Sequence, residues 1–379
     1  MARRYQVFLG IVAGLALYTG FQAGRLFPGW PAAVPWALTA ALFALMLGPH
    51  FLHRSDPGAM ERPFFQGLVW TGSVALGVWA TFILLSIPFN AAALLSRLTG
   101  LGTFDPRAFL ALAAAAVVIG ALGLGQAVAG PAVKEVTVRV PGLAAGLEGL
   151  RIAHISDLHI GPTIQSGYVE RVVTAVQALK PDLIAVTGDL ADGTVEQLGR
   201  HVAPLAALKA PLGVFFVTGN HEYYWGPREW LKKAAELGWT PLVDESRVVS
   251  RGAARVLVGG VADTSGPYFI PEHRSDPQKA VATEEHTDLK VLLAHRPDSC
   301  LEGEKAGFDL QLSGHTHGGQ FFPFSLLIGL FHRYPRGLNR HGKLWLYVNS
   351  GTGYWGPPNR FRVPAEITLL RITGEAVNL

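Results

Sequence analysis

The sequence predicts two parts with different folds: an N-terminal bundle of about four transmembrane helices, followed by an α/β domain. Three observations lead to this prediction. Long uncharged apolar runs fill the first third of the chain, strand-like apolar segments alternate with amphipathic helical segments in the remainder, and Asp- and His-rich motifs follow those strands. We place the boundary so that residues 1–133 form the membrane region and residues 134–379 form the second domain, which is long enough for one substantial core.

The first 133 residues have the composition of a membrane protein, with seven Arg, no Lys and three acidic residues among runs of Ala, Leu and Val. A helix needs about 20 apolar residues to cross a bilayer. Four stretches without internal charge meet this length, at 5–24, 32–51, 65–89 and 109–129. Pro35 and Pro49 bracket the second stretch, so a short hairpin is an alternative there. The first stretch resembles an export signal, but three further spans disfavour that interpretation.

The orientation in the membrane follows from the positive charges that flank the spans. Arg3 and Arg4 precede the first span, and Arg54 and Arg62 lie in the second loop, against one Arg in the first loop and two in the third. Positive residues are enriched on the cytoplasmic side. We therefore predict a multi-pass protein of the cell membrane whose second domain faces the cytoplasm.

The charge balance excludes one class of function, and the cysteine count excludes two structural features. The chain carries 32 basic and 28 acidic residues, and the membrane region accounts for the whole excess, which leaves 25 of each sign from Lys134 onward. The second domain is therefore not a basic nucleic-acid binder. Cys300 is the single cysteine, so an intrachain disulfide and a cysteine-based zinc cage are both excluded.

The elements of the second domain alternate between strand and helix. Strand-like segments lie at 151–155, 183–187, 214–218, 290–293 and 310–312, and two more at 344–348 and 367–372. Ser166 is a candidate cap for a helix that ends before Pro181, Thr194 begins a second helix, and Pro227 and Gly238 bound a third. Periodicity alone gives only an α/β class.

Five short motifs place polar side chains directly after five of these strands, where open α/β sheets build their sites. They read S-D-L-H-I-G, G-D-L-A-D, G-N-H-E, A-H-R-P-D and S-G-H-T-H-G-G-Q. The candidate metal ligands in them are Asp157, His159, Asp189, Asn220, His295, His315 and His317. Any one of these side chains could be an ordinary strand-end cap, but seven in this order favour a metal site.

The donor types indicate which metals the site would hold. A two-metal site, with ions about 3.5–4 Å apart, needs one ligand that touches both ions, and a carboxylate can do so. Asp189 is the natural bridge, because it stands alone after its strand. Imidazole mixed with carboxylate and amide oxygen suits Mn, Fe or Zn better than Mg or Ca. We therefore predict two divalent metal ions.

The five motifs together resemble the calcineurin-like metallophosphoesterase family, whose pattern is D-x-H, G-D, G-N-H-[ED], H and G-H-x-H. The runs G-H-T-H-G-G-Q-F-F-P and N-S-G-T-G are similar to its membrane-associated YkuE/YaeI-like branch. The resemblance implies two mixed sheets flanked by helices. It also implies one metal held by Asp157, His159, Asp189 and His317, and another held by Asp189, Asn220, His295 and His315. His221 would then assist the leaving group.

The function implied is a membrane-anchored, binuclear metal-dependent phosphoesterase that cleaves a phosphoester or pyrophosphate through a metal-bridging hydroxide. Membrane lipids and a phosphorylated, lipid-linked substrate are the expected partners, with no nucleic acid; the oligomeric state stays open. Two alternatives remain. One is a phosphodiesterase for a soluble nucleotide-type substrate, and the other is a non-catalytic membrane sensor that binds metal or phosphate. The retained His221 argues against the sensor.

Two segments and several histidines have open roles. Residues 263–288 form either a solvated insertion or a substrate lid. Residues 321–331, F-F-P-F-S-L-L-I-G-L-F, form either a buried core helix or an apolar surface at the membrane interface. His154 is predicted to pack inside its strand, and His201, His273 and His286 to be solvated.

Overall fold

The structure is a computed structural model that describes residues 2–26, 29–55, 58, 62–101, 106–283 and 285–374. The chain divides into two compact units. Unit 1 comprises residues 1–124 together with 356–359, and unit 2 comprises residues 125–355 together with 360–379.

Unit 1 is helical. Its helices are α1 (Ala2–Leu26), α2 (Ala33–Ser55), α3 (Pro63–Leu98) and α4 (Pro106–Ala129), the last of which ends in unit 2. Polar contacts join α1 to α3: Trp79 Nε1 donates to Thr19 Oγ1 at 2.9 Å, and Arg25 Nη1 donates to Asn90 Oδ1 at 2.5 Å. Residues 356–359 belong to this unit, where Asn359 Nδ2 donates to Thr81 Oγ1 at 3.4 Å.

Two helices among the described residues are long and apolar enough to cross a bilayer, at Pro63–Leu98 and Ala108–Ala129. The apolar part of α2, Ala33–Pro49, is shorter than a full span. The four helices lie at the positions predicted for the four spans. That all four cross the membrane stays a prediction.

Unit 2 is built on two mixed six-stranded sheets. Its strands are β1 (Ala132–Val140), β2 (Leu150–Ile155), β3 (Leu183–Val186), β4 (Val214–Phe216), β5 (Thr240–Pro241), β6 (Glu245–Arg251), β7 (Ala254–Gly260), β8 (Leu289–Leu293), β9 (Leu310–Ser313), β10 (Gly337–His341), β11 (Leu344–Val348) and β12 (Glu366–Gly374). The first sheet has the order β1-β12-β2-β3-β4-β5 and the second the order β10-β11-β9-β8-β7-β6. The predicted α/β class with two mixed sheets is confirmed.

The helices of unit 2 are α5 (Ser166–Ala178), α6 (Val195–Val202), α7 (Asn220–Trp225), α8 (Pro227–Glu236), α9 (Pro277–Val281) and α10 (Cys300–Lys305). Helix α6 begins at Val195, one residue after the predicted start. Thr194 is its N-cap, because the Thr194 Oγ1 accepts the N–H of Gln197 at 3.3 Å. Helix α5 begins at Ser166 itself and its N-cap is Gln165, so the predicted cap is one residue off.

The core lies between the sheets and places the site at one edge. Leu150, Leu183, Leu293, Leu310 and Leu312 are fully buried in one cluster that takes side chains from both sheets. Strands β2, β3 and β4 are mutually parallel, and so are β8 and β9. Parallel strands end at the same edge, so the loops after each set start together there.

Candidate metal centre

Each predicted ligand lies a few residues after the end of one of these parallel strands, and Asn220 is also the first residue of α7. Asp157 follows β2, Asp189 follows β3, Asn220 follows β4, His295 follows β8 and His315 follows β9. Among the residues that the structure describes, three groups of side chains offer donor atoms within 4.8 Å of one another: Asp157, His159 and His317; His159, Asp189 and His221; Asp189, His295 and His315. Asn220 adjoins them, because it precedes His221, whose N–H donates to Asp189 Oδ1 at 2.9 Å.

The loops hold most of these ligands in an unfavourable backbone conformation. Five of the seven have positive φ values: Asp157 (53°), His159 (49°), Asp189 (51°), His315 (69°) and His317 (50°). Left-handed backbone is uncommon for residues other than glycine, and such strain clusters at functional sites. The fold therefore accepts local strain in order to point these side chains at one place.

Two glycines of the motifs leave room for the carboxylates. A Cβ at Gly314 would lie 2.0 Å from Asp157 Oδ2, and one at Gly219 would lie 2.2 Å from Asp189 Oδ1. Any side chain at either position would displace a candidate ligand. This explains why the motifs read S-G-H and G-N-H rather than containing a larger residue there.

The first set of donors brings two imidazoles face to face. His159 Nε2 lies 3.0 Å from His317 Nε2, and His317 Nε2 lies 3.3 Å from Asp157 Oδ1. His159 Nε2 also lies 3.8 Å from Asp189 Oδ2. Buried nitrogen lone pairs and carboxylate oxygens that converge in this way suit a cation.

The second set of donors also brings two imidazoles together, next to the Asp189 carboxylate. His295 Nε2 lies 3.2 Å from Asp189 Oδ2 and 3.2 Å from His315 Nδ1. Asn220 Oδ1 is buried and has no hydrogen-bond partner in the described part of the chain. An orphaned buried acceptor is unusual and needs a ligand or an ion. The residues of both sets therefore fit divalent cations. Asp189 belongs to the second set and adjoins the first through His159 at 3.8 Å.

The electrostatics of the site favour ionised carboxylates. Burial opposes ionisation of Asp189, but His295 and His221 hold its pKa well below the usual range. Burial also opposes the charged form of His295, and Asp189 raises its pKa to about 10. In contrast, burial and the charge of His295 lower the pKa of His315 to about 2. The buried carboxylates are thus ionised, and they favour the charged form of His295 beside the neutral His315.

His221 lies nearer the surface of the cluster than His159 and His295 do. Its side chain is 13% exposed, against 0% for His159 and His295. Nδ1 lies 2.5 Å from Asp192 Oδ1 and Nε2 lies 3.9 Å from Asp189 Oδ2. Burial opposes its protonation, but Asp192 and Asp189 raise its pKa to about 9. It can therefore carry a proton beside the metal ligands; whether it donates that proton or binds a metal stays a prediction.

Two carboxylates that the sequence analysis left without a role organise these loops. Asp192, the last residue of G-D-L-A-D, contacts His159 Nδ1 at 3.1 Å as well as His221. Glu222, the last residue of G-N-H-E, is fully buried, and it accepts the N–H groups of Asp189 at 3.0 Å, Leu190 at 2.7 Å and Gly219 at 2.6 Å. Both residues could have been recognised from the sequence, because each is the last residue of a metal-binding motif.

Two arginines also contact candidate ligands. Arg360 is fully buried; its Nη1 donates to the carbonyl of Ser350 at 2.6 Å, and its Nη2 lies 3.1 Å from His317 Nδ1. Arg296 Nε donates to Asp263 Oδ2 at 2.9 Å, and its Nη1 lies 3.0 Å from His315 Nε2. Arg296 stands inside A-H-R-P-D, whereas nothing in the sequence connects Arg360 with the motifs.

Comparison with known proteins identifies the family. Residues 150–319 match the family model described as calcineurin-like phosphoesterase. A Bos taurus protein named "Transmembrane protein with metallophosphoesterase domain" is 33% identical over 354 residues, which cover 88% of this chain and 80% of that protein. The chain belongs to the calcineurin-like metallophosphoesterase family. The predicted family is confirmed, and membership implies a metal-dependent phosphoesterase that uses divalent ions.

Bacterial relatives extend this result. An uncharacterized metallophosphoesterase of Helicobacter pylori strain J99 is 37% identical over 255 residues, which cover 66% of each chain. The chain thus spans just under two thirds of that relative's length. The metallophosphoesterase YkuE of Bacillus subtilis is 28% identical over 254 residues, which cover 63% of this chain and 84% of YkuE. The relative named as a transmembrane protein and the two bilayer-length helices together support membrane association.

The two segments with open roles have definite structures in this metallophosphoesterase. Residues 321–331 contain two short 3₁₀ turns, Phe324–Leu326 and Ile328–Leu330, so of the two alternatives the buried core helix is wrong. The segment 263–288 contains a 3₁₀ turn and helix α9, and Glu284 within it lies outside the described residues. Whether that segment is a lid stays a prediction.

The other histidines divide into buried and exposed cases. His154 is fully buried in β2 as predicted, with Nε2 2.8 Å from Thr187 Oγ1. The prediction that His201 is solvated is wrong, because it is 6% exposed and its Nδ1 accepts the N–H of Ser166 at 3.3 Å. His273 is half-buried against the Tyr223 hydroxyl, and His286 is exposed.

Proposed function

We propose that this chain is a membrane-anchored, binuclear phosphoesterase that hydrolyses a phosphoester or pyrophosphate bond of a lipid-linked substrate. The observation that carries the proposal is that Asp189 belongs to two groups of donors, one with His159 and His221 and one with His295 and His315. A carboxylate common to both sets is what a two-metal centre requires.

The roles of the chain's own residues follow from their positions. When two divalent cations are bound, they neutralise the phosphate and activate water as the nucleophile. Asp157, His159, Asp189 and His317 would hold one cation, and Asp189, Asn220, His295 and His315 would hold the other. His221 donates a proton to the departing oxygen, and Asp192 orients its ring through the contact at Nδ1.

An exposed apolar surface supports a lipid-linked substrate. Leu326, Leu327, Leu330 and Phe331, which we call the apolar turn, are between 39% and 79% exposed. The next residue, His332, places its ring 5.6 Å from that of His315. Exposed apolar groups of this size mark interaction sites. The apolar turn therefore lies beside the candidate metal centre, and Arg333 and Arg336, which follow it, carry charge suited to anionic headgroups.

Two alternatives make different use of the same residues. A soluble phosphodiester such as a cyclic nucleotide would use the metal centre but would not need contacts with the apolar turn. A non-catalytic sensor would keep the metal ligands but have no use for a protonated His221 held by Asp192. The contact between those two residues therefore favours an enzyme over the sensor.

A substrate screen separates the three functions. The purified full chain in lipid nanodiscs with Mn²⁺ is incubated with lipid pyrophosphates, phospholipids and nucleotides, and products are followed by mass spectrometry. We expect turnover of a lipid-linked pyrophosphate or phosphoester. Turnover restricted to nucleotides would establish the first alternative, and binding of Mn²⁺ and phosphate without any turnover would establish the sensor.

The apolar turn is tested by the double substitution Leu327→Ser and Phe331→Ser. We expect the ratio of activity on a long-chain lipid substrate to activity on p-nitrophenyl phosphate to fall, with the melting temperature retained. Leu301→Ser is the matched control, because Leu301 is an exposed apolar side chain on α10. An equal loss of activity on both substrates, together with a lower melting temperature, would show that the apolar turn stabilises the fold and does not bind lipid.

A further inference from the structure

A row of aromatic rings borders His221 on its exposed side. The His221 ring lies 5.3 Å from the Tyr224 ring and 5.9 Å from the Trp355 ring. The Phe269 ring continues the row at 6.0 Å from Tyr224. All three aromatic side chains face solvent, with exposed fractions of 49% for Tyr224, 55% for Trp355 and 47% for Phe269. Half-exposed rings clustered at a site are available to bind an apolar group.

The last residue of S-G-H-T-H-G-G-Q fixes the position of Trp355. Gln320 Nε2 donates to the Trp355 carbonyl at 2.9 Å, and Gln320 Oε1 accepts the Trp355 N–H at 2.8 Å. Gln320 itself is buried and has a φ of 56°, a strained value for a residue with a side chain. The two bonds satisfy both main-chain groups of Trp355 and leave its ring free to project. The loop that carries His315 and His317 therefore fixes the position of the Trp355 ring.

The reaction determines which part of the substrate lies next to these rings. Water adds its oxygen to phosphorus, and the bond from phosphorus to the leaving oxygen breaks with its electron pair on that oxygen. The leaving oxygen takes the proton of His221, and His221 regains a proton from the attacking water. The group attached to the leaving oxygen must therefore lie against the residues that surround His221.

We propose that Tyr224 and Trp355 form a subsite for an apolar leaving group and that Gln320 is the positioning residue that holds Trp355 there. This inference rests on the proposed function, since it assigns the leaving group to the His221 side. The bilayer-length helices of the chain favour an alkyl chain over a planar base as the apolar group. A nucleoside is the competing occupant, because bases also stack on aromatic rings.

Ethyl and hexyl phosphate provide a test that separates binding from chemistry. Their alcohols have nearly the same acidity, so the longer chain changes the contacts of the leaving group without changing its need for a proton. Each buried methylene is worth up to about fourfold. With about two methylenes covered by the rings, we expect kcat/KM of the Mn²⁺-loaded full chain to be roughly tenfold higher for hexyl phosphate.

The variants locate this preference. Trp355→Ala and Tyr224→Ala should each lower the hexyl-to-ethyl ratio of kcat/KM toward one, and Leu301→Ala should leave it at the wild-type value. Gln320→Ala should lower the ratio as Trp355→Ala does while metal content and melting temperature stay unchanged. Gln320→Glu keeps the acceptor for the Trp355 N–H and should give an intermediate ratio. A Gln320→Ala protein with a lower melting temperature and an unchanged ratio would show a structural role only.

Binding of ethyl- and hexylphosphonate by calorimetry separates failure of the subsite from failure of the proposed function. Turnover with no chain-length preference would overturn the subsite and leave the hydrolase intact. Chain-length preference in binding that disappears in Trp355→Ala, without turnover of any ester, would uphold the subsite and overturn the hydrolase. A Trp355→Ala defect that is larger for adenosine 5′-monophosphate than for hexyl phosphate would assign the rings to a base and overturn the alkyl assignment.

Discussion

Replacing Asp192 with Asn tests how the candidate metal centre and His221 are coupled. One carboxylate oxygen of Asp192 contacts His159 Nδ1 at 3.1 Å and His221 Nδ1 at 2.5 Å. Asn keeps the size of the side chain but removes its charge. The substitution therefore weakens two things at once: the orientation of a predicted metal ligand and the protonated form of the predicted proton donor.

The two effects have different expected magnitudes. Loss of a hydrogen-bond partner behind a ligating histidine typically costs 10- to 100-fold in metal affinity. Loss of a general acid costs about 10²–10⁴ in rate, and this is an upper bound here because His221 remains in place. We expect Asp192→Asn to show the first loss in full and a part of the second, even when Mn²⁺ is saturating.

A double-mutant cycle separates these effects. With His221 already replaced by Ala, Asp192→Asn should no longer lower kcat, because both changes remove the same proton transfer. The loss of Mn²⁺ affinity should persist, because it acts through His159. Asp182→Asn is the control, since Asp182 has a similar exposed fraction, 25% against 22%, and accepts the N–H of Arg151 at 2.8 Å. Equal losses of kcat in both backgrounds would refute the coupling.

Three further substitutions test individual roles. Asp189→Asn should abolish activity and lower the bound metal toward one ion or none, and two ions bound to an active variant would exclude a bridging role. His221→Ala should keep both metals and slow turnover by about 10²–10⁴, with a smaller loss for p-nitrophenyl esters; loss of metal instead would make His221 a ligand. Arg360→Met should lower the free energy of unfolding by about 3 kcal/mol, because it leaves buried carbonyls unpaired; urea denaturation with an unchanged midpoint would contradict this.

The candidate ligands could be predicted from the sequence because the chemistry and the fold act on short segments. Each ligand follows a strand within a few residues, so strand prediction alone places Asp157 and Asp189 at one edge of a sheet. The start of α6 near Thr194 could be predicted for the same reason, since Thr194 and its partner Gln197 are only three residues apart.

Contacts between distant segments could not be predicted in this way. Arg360 contacts His317 across 43 residues, and only the folded chain brings the two together. His201 was misjudged because a polar residue suggests solvent, whereas the start of α5 supplies a buried partner. The length of an apolar run likewise cannot distinguish a buried helix from the exposed turns at 321–331, nor show that α1 and α2 cross a bilayer.

The central claim is that two cations share Asp189, and electron paramagnetic resonance of the Mn²⁺-loaded chain tests it most directly. Ions held about 3.5–4 Å apart by a common ligand interact magnetically. We expect two Mn²⁺ per chain and the spectrum of a coupled pair, which Asp189→Asn should abolish. One Mn²⁺ per chain, or two ions that give only the spectrum of isolated Mn²⁺, would contradict the account.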